Sequence, residues 1–361
     1  MGNTEEVRIL TINPGSTSTK FGVFVGTDPL YIKTIRHSSE ELDLFEKITD
    51  QFHYRKELML NQLKEAEIDL EQIRAVVGRG GLLKPIESGV FEVNERMKED
   101  LRNSPMGEHA SNLGGLIADA FAQQLDGVKA YIANPVVVDE LDDIARISGH
   151  PKFSRVSIFH ALNQKAVARS HAKFVMRNYE DMNIIVAHLG GGITVGAHRK
   201  GRVVDVNNGL DGEGPFSPER SGTLPMGDLV RMCFSGKYSQ KEIMKMIKGE
   251  GGLVGYLGTN SAYDVEQMVV KGDAHARLIY EAMAYQVAKE IGAMSTVLKG
   301  DVDVILITGG VAHSKWFVNQ IIERVHKIAP VHVYPGEDEM KALAMNGMRV
   351  LRGETVAKIY S

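Results

Sequence analysis

Residues 13–20 read NPGSTSTK: a Pro14-Gly15 pair, four hydroxyl side chains (Ser16, Thr17, Ser18 and Thr19) and one cation, Lys20. A turn of this composition can aim backbone N–H groups and hydroxyls at phosphate oxygens, or it can be a plain β-hairpin. It is not a Walker A loop, whose Gly-x4-Gly-Lys-Ser/Thr spacing occurs nowhere in the chain. A second candidate loop begins at His188, just ahead of Gly190, Gly191 and Gly192. Three glycines in a row between apolar runs cost backbone entropy that a structural hairpin does not require. A third turn, Thr308-Gly309-Gly310-Val311-Ala312-His313-Ser314, follows a fully apolar run, the position at which α/β folds take nucleosides.

Two arginines stand at comparable places. Arg79 lies inside GRGG, directly after an apolar run, and Arg220 inside GPFSPERSGTLP. Each arginine alone reads as a surface ion pair, but planar forked donors suit phosphate and carboxylate oxygens. His109 in PMGEHASN and His160 in SIFHALNQ read, singly, as structural histidines, and His37, His53, His326 and His332 are given no role. The Gly-rich residues 249–259 read as a flexible loop. Neither His-Glu-x-x-His nor a His/Cys pair at zinc spacing occurs, and the single cysteine, Cys233, can form no internal disulfide.

The elements that must carry these loops form a repeat. Residues 7–12 (VRILTI) run into the hydroxyl turn, return through FGVFV, turn at residues 26–29 and continue through residues 30–35. About 176 residues later the order recurs as NIIVAHL, the glycine triplet, ITVGAH, a Lys200-Gly201 turn and RVVDV. A repeat this long predicts two related α/β domains facing each other, joined by short hinges and closing on a nucleotide. Residues 73–77 and 302–307 read as further strands, and 130–138 as a buried strand. Helical periodicity predicts a helix over 105–125, with Ser104 as its cap, and another over 273–298. In the latter, Ala276, Ile279, Met283, Val287, Ile291 and Met294 recur three or four apart as core residues.

Composition bounds the answer. The chain has 361 residues, 43% hydrophobic and 24% charged, enough for two domains or one large α/β unit. A net charge of −4 gives no global basic field, so neither nucleic acid nor an anionic membrane is expected as a partner. No run approaches eighteen apolar residues, residues 1–7 show no secretory pattern, and Glu6 breaks the myristoylation pattern. A soluble, cytoplasmic protein is expected.

Together the segments resemble the acetokinase family, the acetate and butyrate kinases, within the superfamily of duplicated ATPase folds that includes sugar kinases, actin and heat-shock chaperones. ILTINPGSTSTKFGVF, AVVGRGG, SPMGEHASNLGG, SIFHALNQKAVA, VAHLGGGITVGAH, ERSGTLP and ITGGVAHSKWF occur in the family's order over nearly the whole chain. INPGSTS and HLGGG lean toward the butyrate-kinase branch. The resemblance implies an α/β fold of duplicated ribonuclease-H-like (actin-like ATPase) domains with a central cleft. It further implies an N-terminal acyl-substrate and phosphate-loop domain at 1–141, completed by 341–361, and a nucleotide-binding domain at 142–340.

By the same resemblance Asn13, Ser16, Thr17, Ser18, Thr19 and Lys20 would line the first phosphate loop, His188 with Gly190, Gly191 and Gly192 the second, and Gly309, Gly310 and Ala312 the adenosine pocket. Arg79 and Arg220 would bracket the acyl carboxylate and the phosphoryl group in flight. His160 would stabilise the transition state, and His109 would be another active-site histidine, on the acid. Asp139 and Glu339 would support Mg2+, with Glu337 and Asp338 competing for the latter's role. Asp139 departs from the acetate-kinase pattern in being followed by Glu-Leu, as do His313 and Ser314, which stand where Glu-Asn is usual.

The implied reaction takes ATP and a short-chain fatty acid, butyrate or alternatively acetate or a branched acid, to ADP and an acyl phosphate. A carboxylic acid titrates near ~4, so the nucleophile is already ionised at neutral pH and needs no strong base. The difficulty is repulsion between anions, which Arg79, Arg220, His160, His188 and Mg2+ would offset. Self-association as a homo-oligomer is expected from the family. A nucleotide switch of the actin or chaperone type and a carbohydrate kinase compete. Against the switch stand the two arginines and the lack of any peptide-binding segment after residue 361 in the sequence as read.

Overall fold

The computed structural model describes residues 7–361; residues 1–6, scanned above for targeting signals, lie outside the described residues. The chain divides into two compact units. One takes the chain up to Val138 together with Asp338–Ser361, and the other is Asp139–Glu337. Asp139 therefore belongs with the second unit and Glu339 with the first.

In the first unit β1 (Arg8–Pro14), β2 (Ser18–Val25) and β3 (Asp28–Arg36) form an antiparallel meander, and β4 (Ile73–Arg79) lies parallel to β1. β5 (Val90–Glu92) runs antiparallel to β6 (Lys129–Ala133), which is parallel to β4. Side chains alternate across the sheet as strand geometry requires. Leu10 and Ile12 join a core with Val76, Leu113, Ile117 and Ile132 under the helix Asn112–Ala122. Ile9 instead meets Gly347 of the helix Glu339–Leu351, where any side chain would strike Val77 and Ile9.

The second unit repeats the plan. β7 (Asn183–Leu189), β8 (Ile193–Arg199) and β9 (Arg202–Val206) form the meander, and β10 (Val304–Gly309) and β11 (Val331–Pro335) extend it in parallel. The hairpin between β8 and β9 turns on Lys200 and Gly201, both at positive φ (49° and 85°), the geometry whose twist suits a two-residue connection. The helix Ala274–Val297 is capped by Asp273, and all six core residues read from its periodicity are buried. With β12 (Lys358–Ile359) added at the β5 edge, the sheet orders are β12-β5-β6-β4-β1-β2-β3 and β11-β10-β7-β8-β9. The shared five-strand order, with the second strand antiparallel, is the duplication seen in the sequence.

Three expectations need correction. Ser104 caps no helix start: at φ 50° it ends the helix Glu95–Asn103, and the next helix begins only at Asn112. The strand expected over 130–138 stops at Ala133, because Asn134 takes φ 38° and turns its side-chain oxygen to the Gly89 N–H. Residues 249–259 are not a flexible loop; they include the helix Gly252–Leu257, whose first two residues are buried. Among the described residues no helix is long and apolar enough to cross a membrane.

Candidate active site

In the first unit β1 and β4 end side by side, with Ile12 paired to Gly78, which brings Asn13 and Arg79 to one sheet end. Glu339, the first residue of its helix, completes the cluster. Arg79 Nη1 lies 3.1 Å from Glu339 Oε1 and donates to Asn13 Oδ1 at 3.2 Å, and Asn13 Nδ2 donates to Glu339. The glycines around Arg79 have a packing reason: a Cβ on Gly78 would enter the Gly114 backbone, and one on Gly81 would enter Asn112. GRGG and SNLGG are thus the two halves of one close helix-strand contact. Asn112 also accepts from the Leu82 N–H at 2.8 Å, holding the chain just beyond Arg79. His109 is exposed, with Nδ1 2.8 Å from Ser111 Oγ.

The hydroxyl turn is built from beneath. Arg55, from the helix Phe52–Glu65, is fully buried and donates to the carbonyls of Gly15 (2.8 Å), Ser18 (3.1 Å) and Ser16 (3.3 Å). It also donates to Thr19 Oγ1 at 3.0 Å, which in turn meets His37 Nε2 at 2.8 Å. Thr19 therefore faces inward; Ser16 and Thr17 are exposed, and Ser18 and Lys20 are half-buried. Burial, then the Arg55 charge, pulls His37 down to about 4, so it is neutral at physiological pH. Burial likewise lowers Arg55, to about 10. Neither Arg55 nor His37 was among the residues given a role, because an arginine in a polar helix reads as a solvated side chain.

In the second unit His188 is the penultimate residue of β7, and its ring stacks on that of His160, with centroids 3.9 Å apart and planes 17° apart. Two imidazolium rings so placed would repel each other. His188 Nδ1 meets Asn163 Oδ1 at 2.8 Å; its Nε2, 3.2 Å from Glu337 Oε1, makes no hydrogen bond. His160 Nδ1 meets Thr194 Oγ1 at 2.9 Å. The signal for Thr194 was the alternation along β8, where Thr194, Gly196 and His198 share the face opposite the core residues Val195 and Ala197.

The last glycine of the triplet makes room for Arg220. A Cβ on Gly192 would overlap the Arg220 guanidinium, which donates to the Gly209 carbonyl. Ser217 Oγ donates to the Gly191 carbonyl at 2.7 Å, and Gly190 N to Gly192 O at 3.0 Å. Burial lowers Arg220, opposed by Glu219 and Asp211. The segment expected to be flexible packs on the stretch that carries Arg220: Gly252, at φ 60°, sits against the Ser217 and Arg220 carbonyls where no side chain fits. At the third turn Gly309, at φ 95°, presses on the Leu189 backbone, while Gly310 opens onto free space. Ala312 is part of the core.

The carboxylates separate by role. Asp139 accepts from Arg146 at 2.6 Å and from the Leu141 N–H at 3.2 Å. Asp338 caps the helix Glu339–Leu351 through the Lys341 N–H. Glu337 lies by His188, and Glu339 by Arg79. Among the described residues no group of three or more His, Cys, Asp or Glu is placed to hold a metal ion.

Residues 154–333 match the model of the acetokinase family. Two proteins of Clostridium acetobutylicum, butyrate kinase 2 and butyrate kinase 1, are 57% and 58% identical over 353 residues, covering 98% of this chain and 99% of theirs. The crystal structure of Porphyromonas gingivalis acetate kinase superposes with a TM-score of 0.76 at 19% identity, over 96% of this chain and all of that one. The duplicated strand order is thus the ribonuclease-H-like, actin-like ATPase fold, and the chain belongs to the acetokinase family.

Proposed function

We propose that the protein transfers the γ-phosphoryl group of ATP directly and reversibly to the carboxylate of a short-chain fatty acid, butyrate above all, giving butanoyl phosphate and ADP. The near full-length identity with two butyrate kinases carries this reading. The acid arrives ionised, so the site needs donors and cations more than a base. Arg79, already paired with a carboxylate in Glu339, is suited to receive that of the acid, with His109 as a second contact. Arg220 and the N–H groups of the glycine triplet suit the phosphate chain, Asn13, Ser16, Thr17, Ser18 and Lys20 the first phosphate loop, and open Gly310 the nucleoside. His160 and His188 supply donors to the oxygens on which charge develops.

Mg2+ is commonly held by one or two carboxylates together with substrate phosphates and water, so a dedicated cage of protein ligands is not required. Glu339 offers such a carboxylate and would hold the ion. Asp139, paired with Arg146 as Glu339 is with Arg79, is the other candidate. Bound with the nucleotide, the ion would neutralise phosphate charge. The reading includes a cytoplasmic homo-oligomer, supported by the helix Met226–Cys233, which buries none of its own residues and leaves the neighbouring Phe234 88% exposed.

The kcat/KM series from acetate to valerate, with isobutyrate and glucose, tests the acceptor. Two added methylenes at ~0.8 kcal/mol each predict a preference for butyrate over acetate of roughly fifteenfold, with leaky acceptance of propionate, valerate and isobutyrate. A preference for glucose over every acid would contradict the reading.

A further inference from the structure

The second unit holds a continuous chain of hydrogen bonds that ends on His160. Tyr179 Oη lies 2.7 Å from His198 Nδ1, and His198 Nε2 lies 2.9 Å from Gln164 Oε1. Gln164 Nε2 lies 3.1 Å from the Thr194 carbonyl oxygen and 2.9 Å from Thr194 Oγ1, which lies 2.9 Å from His160 Nδ1. Tyr179, His198, Gln164 and Thr194 are all buried.

Every proton in this chain can be assigned. A carbonyl oxygen only accepts, so the end of Gln164 facing Thr194 is the NH2 group and the end facing His198 is the oxygen. His198 Nε2 must therefore donate. Burial, reinforced by Lys165 and Arg169, holds His198 well below the ordinary imidazole range, so its Nδ1 is bare and accepts the Tyr179 proton. Thr194 Oγ1 accepts from Gln164, and among the described residues its other hydrogen-bond partner is His160 Nδ1, which must receive the hydroxyl proton. A neutral His160 that accepts on Nδ1 carries its own proton on Nε2.

We propose that the relay Tyr179–His198–Gln164–Thr194 fixes His160 as the neutral Nε2–H tautomer, so that it meets the transferring phosphoryl group as a hydrogen-bond donor and not as a base. This rests on the carboxylate-kinase reading, in which the nucleophile needs no base while the phosphoryl oxygens need donors. The stacking of His188 restrains the remaining ring orientation. The absence of a side chain at Gly196 is part of the device: a Cβ there would stand 2.6 Å from Gln164 Oε1. Gln164 and Thr194 are positioning residues.

The test uses the full-length protein labelled with 15N-histidine. Two-bond proton–nitrogen correlations at about pH 7.5, above the ordinary histidine range, report each ring's tautomer. The wild type is expected to show His160 neutral with its proton on Nε2. Thr194→Val is expected to give mixed tautomers and a kcat lower by about tenfold or more, with KM for ATP and butyrate within about twofold. Gln164→Glu, whose carboxylate can take the Thr194 proton, is expected to move the His160 proton to Nδ1. A wild-type His160 protonated on Nδ1, or doubly protonated, would overturn the proposal, and so would a Thr194→Val variant with unchanged kcat. The wild-type spectrum requires no variant to fold. Butyrate turnover is measured separately, and its absence would overturn the carboxylate-kinase reading while the tautomer remained readable.

Discussion

The two meander loops occupy equivalent places in a duplicated sheet and are held in opposite ways. The loop between β1 and β2 has a rigid Pro-Gly turn and hydroxyls, and a buried guanidinium, Arg55, ties up its carbonyls from within. The loop between β7 and β8 has no side chains of its own at three positions, and a guanidinium, that of Arg220, occupies the space a side chain at Gly192 would have filled. One arginine supports its loop from beneath, and the other lies against its loop where a side chain would otherwise stand. A glycine-rich loop therefore signals something that must come close, whereas a hydroxyl-rich loop signals something beneath it that must be satisfied.

That contrast predicts where substitutions act. The largest effect is expected on turnover: Arg220→Ala or Arg79→Ala should lower kcat/KM at least about a hundredfold, roughly 3 kcal/mol of barrier, with thermal unfolding little changed. Gly192→Ala should follow Arg220→Ala in kind, because the added methyl displaces the same guanidinium. Arg55→Met should do the reverse, costing about 3 kcal/mol of stability by removing the donor that the Gly15, Ser16 and Ser18 carbonyls share, read as a fall in Tm of several degrees. If Arg55→Met left Tm unchanged, the difference between the two loops would disappear.

A smaller effect concerns pH. His37 is held near 4 when folded against 6.5 when free, so between those values the unfolded chain binds a proton that the folded one refuses. The His37 contribution is fully present above about 6.5 and is lost as pH falls toward 4. Urea unfolding across that window should show stability falling with pH, and His37→Phe should flatten the slope; a variant with the wild-type slope would remove His37 from the account.

The strands and the long helix were legible because their signals are local: period-two and three-to-four-residue spacings, punctuated by Gly26 and the Lys200-Gly201 pair. The loops that could bind anions were legible as glycine and hydroxyl clusters. Their supports were not, because Arg55 acts on residues 36 to 40 positions away, and nothing in a polar helix marks which arginine turns inward. The packing role of Gly78 and Gly81 was not legible, because the helix that presses on them is more than thirty residues downstream. Thr194 and His198 were within reach, since their alternation with buried residues marks a polar face inside a central strand.

The most direct measurement is hydroxylamine trapping during turnover of the wild-type protein with ATP and butyrate. The account predicts butyrohydroxamate in step with ADP, one for one, from transfer of the phosphoryl group to the carboxylate. ADP release without hydroxamate would contradict it and leave a nucleotide hydrolase on the same duplicated fold.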